Sequence, residues 1–167
     1  MTPEYSPEHI RAVFRQRAVR LAQKHAVNTP ASPGIPALVF RLSEERYAVA
    51  LRDLAEVLPF ERCAPVPGSP PHFRGVINLR GELRPVVDLA RLVAGTPSAD
   101  SGALLILRRE FALKVDAVEA LREIRSEEMT RPAQGQYVQA LLAGAVALLD
   151  VEAILPAVFS PKESPFV

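Results

Sequence analysis

Between residues 73 and 93 the chain reads Phe-Arg-Gly-Val-Ile-Asn-Leu-Arg-Gly-Glu-Leu-Arg-Pro-Val-Val-Asp-Leu-Ala-Arg-Leu-Val, and no other stretch restricts the fold as much. Residues 75–79 are apolar and rich in β-branched side chains, which predicts a strand. Arg80-Gly81 breaks the run. Glycine adopts a positive φ without steric cost, so a tight turn is expected there. Residues 82–87 predict a second strand. Pro85 lies inside it and has no N–H for a ladder, so the strand is expected at a sheet edge or at a bulge. Asp88 follows, placed to cap a short helix over residues 89–93 by accepting from the free N–H groups of its first turn.

The rest of the chain has the same grammar of short strands. Residues 37–42 and 47–51 predict two strands about a turn at Ser43-Glu44-Glu45-Arg46. Leu38 and Phe40 share a face of the first, and Tyr47, Val49 and Leu51 share a face of the second. Residues 54–60 continue as strand or extended chain, with Glu56 among apolar neighbours. A buried carboxylate without a partner is costly, so Glu56 is expected at the surface or paired. Residues 65–71, with four prolines, form a crossing loop, and residues 94–102 form another. Residues 103–107 predict an apolar strand, Arg108-Arg109-Glu110 a turn, and residues 111–115 the return strand. Val118, Leu121 and Ile124 follow Asp116, and residues 125–136, with Pro132 and Gly135, predict a loop. Residues 137–143 and 145–150 predict a last hairpin turning near Gly144. A short helix over 151–155 is expected to stop at Pro156, leaving residues 157–167 as a flexible tail. Many short strands without strand–helix–strand alternation favour a β-barrel or sandwich over an α/β sheet. No sequence repeat of 20–50 residues is visible.

Ser6-Pro7-Glu8 predicts a helix start, and Ile10, Val13, Phe14, Ala18, Leu21 and Ala22 recur at helical spacing after it. The helix, residues 1–27, either packs on its own domain or docks on a partner. The Pro- and Gly-bearing residues 28–36 make a linker that tethers it to the strand-rich region, residues 37–156.

At 167 residues, 49% hydrophobic and 23% charged, the chain fits one globular domain with an aliphatic core, because Trp is absent. The formal net charge of +1 and the lack of like-charge blocks argue against nucleic acid or an anionic membrane as a partner. The single Cys63 excludes an internal disulfide framework and fits a reducing compartment. No signal-peptide pattern is seen, and the longest apolar run, residues 140–149, is too short to span a bilayer. A cytoplasmic location is the expectation.

Nothing in the sequence supports catalysis. His9, His25 and His72 are far apart, and one cysteine does not complete a zinc set. Neither a Gly-x-Ser-x-Gly elbow nor a phosphate loop is present. Glu82 and Asp88 read as a turn residue and a helix cap rather than an acid–base pair. Cys63 as a nucleophile needs a cationic neighbour, and Arg62 beside it points to the opposite face of an extended segment. No enzyme, cofactor or metal is expected; a hydrolase using Asp88 or His72 is the remote alternative.

Gly75-Val-Ile-Asn-Leu-Arg-Gly81, the proline at 85 and then Val87-Asp88-Leu89 resemble the signature of the CheW family, adaptors that couple chemoreceptors to the histidine kinase CheA. The approach, Cys63-Ala-Pro-Val-Pro-Gly-Ser-Pro-Pro-His-Phe-Arg-Gly75, is similar to the family's proline-rich crossing, and Asp116-Ala-Val118 matches a Val-Asp-x-Val step. The likeness extends more weakly over residues 37–155. It implies a mainly β fold, two small SH3-like five-stranded barrels on a shared core, here with the extra N-terminal helix and short helices. It implies a non-catalytic scaffold whose partners are a methyl-accepting chemoreceptor's cytoplasmic tip and the regulatory domain of a CheA-type kinase, at the inner face of the membrane through receptors. The matching receptor-groove positions are Leu54, Glu56, Val57, Gly75, Arg80 and Gly81, with Glu56 paired to Arg80; Asn78, Leu79, Pro85, Asp88 and Asp116 are framework. A short last hairpin and a tight 108–110 turn depart from the family pattern. The alternative is a CheW-like module that recognises another signalling protein or a ligand outside the receptor array.

Overall fold

A computed structural model describes residues 34–132 and 135–159. The helix expected over residues 1–27 and most of the linker after it lie outside the described residues. Within them, local chemistry sets each element. β1 (Ile35–Leu42) and β2 (Glu45–Ala50) meet at a two-residue turn, tighter than expected, in which Ser43 takes a φ of 52°. β3 (Leu54–Pro59) precedes the proline-rich crossing, and β4 (Phe73–Leu79) and β5 (Glu82–Asp88) turn at Arg80-Gly81. Helix α1 (Leu89–Ala94) starts where the Asp88 side chain accepts from the Arg91 N–H, as its sequence predicts. β6 (Ala103–Leu107), β7 (Ala112–Val115) and β8 (Ala117–Ile124) follow, and a 3₁₀ turn, Ser126–Glu128, interrupts the expected loop. β9 (Val138–Leu142), β10 (Val146–Leu149) and α2 (Val151–Phe159) complete the described chain.

Two prolines behave differently from expectation. β5 is not an edge strand, because it lies between β4 and β7. Its pairing with β7 begins only at Val86, so Pro85 stands just before that ladder begins, where its missing N–H is not needed on that side. Pro156 does not end α2, which runs on to Phe159. Burial of Val151 and Ile154, the Phe159 ring edge-on to Phe111, and a 2.8 Å hydrogen bond joining His72 Nε2 to the Ala157 carbonyl hold the helix beyond its proline.

The strands form two five-stranded sheets, ordered β8-β1-β2-β10-β9 and β3-β6-β7-β5-β4, each curled into a small barrel. Each barrel has one parallel pairing, β2 with β10 and β5 with β7, and is otherwise antiparallel. Each seam is bridged the same way. Ala64, beyond β3, pairs with Val76 of β4, and Thr130, beyond β8, pairs with Leu141 of β9.

The two barrels are equivalent down to their irregularities. Ala55 bulges from β3 after one paired residue and Glu119 from β8 after two. Arg74 bulges from β4 and Gln139 from β9. Asp88 caps α1, and Asp150 caps α2 by accepting from the Ala153 N–H at 3.2 Å. The chain is therefore two tandem units, β1 to α1 and β6 to α2, that exchange hairpins. The β1–β2 hairpin completes the barrel of β8, β9 and β10, while β6–β7 completes that of β3, β4 and β5. The units, Ile35–Ala94 and Ala103–Phe159, are each about 60 residues long, longer than the periods by which repeats are usually recognised in sequence.

Alternation along each strand divides the core. Leu38 and Phe40 of β1, Val49 of β2, Leu105 and Leu107 of β6, Leu113 of β7, and the helix residues Leu89 and Ile154 form one apolar body shared by both barrels. Val39, Ala48, Ile124, Val146 and Leu148 fill the first barrel; Val86, Leu104, Ile106 and Ala112 fill the second. Each large aliphatic side chain so buried contributes about 1.5–3 kcal/mol relative to exposure.

Candidate functional site: the charged mouth of the second barrel

Strand periodicity puts Glu56 and Leu58 on the face of β3 that lines the second barrel, and Val57 on the face toward the shared core. Leu58 is at the filled middle and Glu56 is nearer the mouth. Glu56 meets Arg80 there. Arg80 Nη1 lies 2.9 Å from Glu56 Oε1 and Nη2 lies 3.0 Å from Oε2, a two-pronged pair. Glu56 is 20% exposed and Arg80 70%, so the carboxylate is sheltered and the guanidinium faces out. The expectation that Glu56 has a partner holds.

The turn that delivers Arg80 is strained and braced. Arg80 has a φ of 54° and Gly81 of 91°, and Asn78 Oδ1 accepts from the Gly81 N–H at 2.8 Å. One turn away, Arg84 donates from Nη2 to Glu82 Oε2 at 3.0 Å and from Nη1 to the Leu107 carbonyl at 3.4 Å. The mouth thus holds two arginines and two glutamates.

The other sequence-assigned positions separate. Gly81 is exposed beside Arg80. Leu54 is buried in the shared core, opposite Leu107 of β6, and Val57 packs half-buried on the same core. Gly75 is buried, with a φ of 144°. A Cβ there would lie 2.2 Å from the Ala64 carbonyl, so glycine at 75 lets the seam close. Among the framework residues, Leu79 packs against the second barrel's filling and Pro85 precedes the β7 ladder.

Asp88 and Asp116 do more than the motif suggests. Asp88 is buried; besides capping α1 it accepts from the Ser98 N–H at 3.1 Å and pairs with Arg74 at 3.4 Å. Arg74 also pairs with Asp100. Asp116 accepts from Ser43 N–H at 2.7 Å and Ala99 N–H at 3.3 Å, and lies 3.4 Å from Lys114 Nζ. It therefore ties a turn of the first barrel to a loop and a strand of the second. Lys114 is fully buried, and its ammonium and the Arg74 guanidinium stand 5.5 and 5.6 Å from the Phe60 ring centre. Burial pushes the Lys114 pKa down, with Asp116 opposing. Lys114, Arg74 and Arg84 are absent from the sequence reading. A cation inside the apolar return strand was a signal for Lys114, of the kind that singled out Glu56.

The cation near Cys63 is Arg74 rather than Arg62. Burial raises the thiol's pKa, and the nearby Arg74 charge only partly opposes it. The Cys63 thiol donates to the Arg74 carbonyl at 3.3 Å. Burial also raises the Tyr47 pKa, aided by its hydrogen bond to Glu45. Among the described residues no His, Cys, Asp or Glu group is placed to hold a metal ion, and no helix is long and apolar enough to cross a membrane. The site offers a sheltered carboxylate on Glu56, an exposed guanidinium on Arg80, a largely buried one on Arg84 and an apolar surround.

Comparison with known proteins adds a family. Residues 36–159 match the model of the CheW-like domain. A probable chemotaxis protein CheW from Rhizobium etli is 27% identical over 141 residues, covering 76% of this chain and 88% of the relative. The chemotaxis protein CheW of Treponema pallidum is 25% identical, covering 75% and 82%. The crystal structure of the scaffolding protein TtCheW from Thermoanaerobacter tengcongensis has the same fold, with a TM-score of 0.64 over 71% of this chain and 90% of that one, at 23% identity.

Proposed function

The chain belongs to the CheW-like domain family, and from that premise we propose that it is a non-catalytic scaffold coupling chemoreceptors to a CheA-type histidine kinase in a chemosensory complex. The observation that carries this is the family match across both barrels, from β1 to the end of α2. The experiment is capture of partners from the native cell with the tagged full chain. A histidine kinase and a chemoreceptor are expected together; recovery of neither, where an established CheW captures both, overturns the reading.

The finer proposal concerns the surfaces. The receptor's cytoplasmic tip docks at the mouth of the second barrel, on Glu56, Arg80 and Gly81, with Leu54, Val57 and Gly75 shaping the strands beneath. The kinase contributes its regulatory domain. The protein works in the cytoplasm, held at the inner face of the membrane through receptors. Residues 1–27 are an appendage to the double barrel, so a chain lacking residues 1–30 retains one cooperative unfolding transition; a molten product would assign them to the core.

A further inference from the structure

The two barrels share strand order, bulges, seams and helix caps, so a difference between equivalent positions is not demanded by the architecture. Register makes the equivalences explicit. Glu56, the residue after the β3 bulge, corresponds to Ala120 after the β8 bulge. Val86 pairs with Ala112 as Leu148 pairs with Ala48, so Arg84, two residues earlier, corresponds to Val146. Beyond that point the first barrel closes with Ala143-Gly144-Ala145, while the second continues through residues 78–83. Where Arg84 stands in the second barrel the first has the buried Val146, and the arginines at the first barrel's turn, Arg46 and Arg122, are committed to the Gly144 and Ala143 carbonyls at 2.7 and 2.9 Å; the second barrel's mouth carries the Glu56–Arg80 and Glu82–Arg84 pairs.

Within the charged mouth Arg84 is the anomalous group. Its side chain is 19% exposed, yet its Nε is buried without an acceptor. Of five N–H donors it commits one to Glu82, itself 72% exposed, and one to a long bond with the Leu107 carbonyl. An exposed carboxylate is a weak tether, and a buried donor left unmade favours any conformation that pairs it. Leu107 is also the partner of Leu54, so Arg84 borders the proposed receptor groove.

We propose that Arg84 is a specificity-determining residue of that groove. On docking, its guanidinium swings away from Glu82 and takes a carboxylate of the chemoreceptor two-pronged, through the Nε and Nη2 edge that the free protein leaves half used. The inference rests on the reading of the mouth as the receptor site. A carboxylate is the matching group because the planar fork of donors fits it, and because it replaces the Glu82 carboxylate in kind.

The test is binding of the soluble cytoplasmic fragment of a chemoreceptor from the same cell to the full chain. Arg84→Met keeps length and fills the mouth as the equivalent Val146 does. Its affinity is expected to fall on the order of tenfold or more while the melting temperature holds or rises. Glu56→Arg serves as the groove control and is expected to lose binding too. Normal binding by Arg84→Met with loss in Glu56→Arg overturns the role of Arg84 and leaves the groove standing. Normal binding by both overturns the groove and the proposal with it. Should Arg84→Met not fold, Glu82→Gln frees Arg84 from its tether and is expected to tighten binding; unchanged or weaker binding counts against the proposal. Receptor carboxylates changed singly to amides identify the partner as the one whose loss has no further effect on Arg84→Met.

Discussion

At the scale of single residues, buried charge separates structural groups from recognition groups. Lys114 is buried within the fold and neutralised by Asp116, and no partner reaches it. Removing one member of a buried ion pair costs roughly 3–5 kcal/mol when it strands the other charge fully buried. Removing Lys114 leaves Asp116, which is part-exposed and keeps the Ser43 and Ala99 N–H donors, whereas removing the Asp116 charge strands a fully buried ammonium. Lys114→Met is thus expected to stay folded. Asp116→Asn is expected to lose several times more stability, since it also weakens the acceptor for Ser43 and Ala99. Because burial lowers the Lys114 pKa in the folded state, the unfolded chain binds the proton more tightly. Stability is reduced at neutral pH and recovers as pH rises through the window between the lowered folded value and the ordinary lysine value of about 10.4. Urea unfolding from neutral to alkaline pH checks this: wild type should gain on Lys114→Met, and a constant difference would show that Lys114 does not titrate in that window. Glu56 and Arg80 behave otherwise. The pair is half open to solvent and contributes about 1 kcal/mol, so its loss leaves the fold intact. Receptor affinity should fall in Glu56→Arg and partly recover in the double swap with Arg80→Glu; strictly additive losses would show that the two do not act together. Glu56 was legible in the sequence because apolar neighbours made its charge conspicuous. Arg84 was not, since Glu-Leu-Arg in a half-exposed strand looks like ordinary alternation.

At the scale of elements, the hairpin β4–β5 is the part that makes the barrels unequal. Its extension, residues 78–83, carries Arg80, the Asn78 brace and the exposed Leu83. Replacing those six residues by the Ala-Gly-Ala of residues 143–145 gives the second barrel the first one's turn. The cost to folding comes chiefly from the half-buried Leu79 and the lost Arg80–Glu56 pair and is about 2–3 kcal/mol. Receptor binding should vanish while the melting transition remains cooperative; retained binding would move the groove away from this hairpin. Most elements were legible, because β-branched runs, turn glycines and capping aspartates are local signals. Pro85 and Pro156 were misread because their effects depend on what lies beside them. Pro85 precedes the stretch where β7 pairs, and Pro156 is carried inside a helix that the core and His72 hold down.

At the scale of the whole molecule, the exchange of hairpins makes neither half of the chain a barrel by itself. That arrangement was invisible in the sequence, since it depends on which distant strands pair and leaves only a long, faint period. It has a direct physical consequence. If each half built its own barrel, cutting the loop between α1 and β6 would release two independently stable pieces. Because each barrel takes strands from both halves, the halves come apart only when both barrels and the shared core are lost together. A protease site inserted between Thr96 and Pro97, which are exposed, allows the folded full chain to be cut there. The cut protein should elute as one species under native conditions and unfold in one step. Its refolding becomes an association, so the unfolding midpoint should rise with protein concentration, as the intact chain's does not. Two species separating on native gel filtration, each with a folded β spectrum, would show that the halves are self-sufficient and that the hairpins need not be exchanged for a barrel to form.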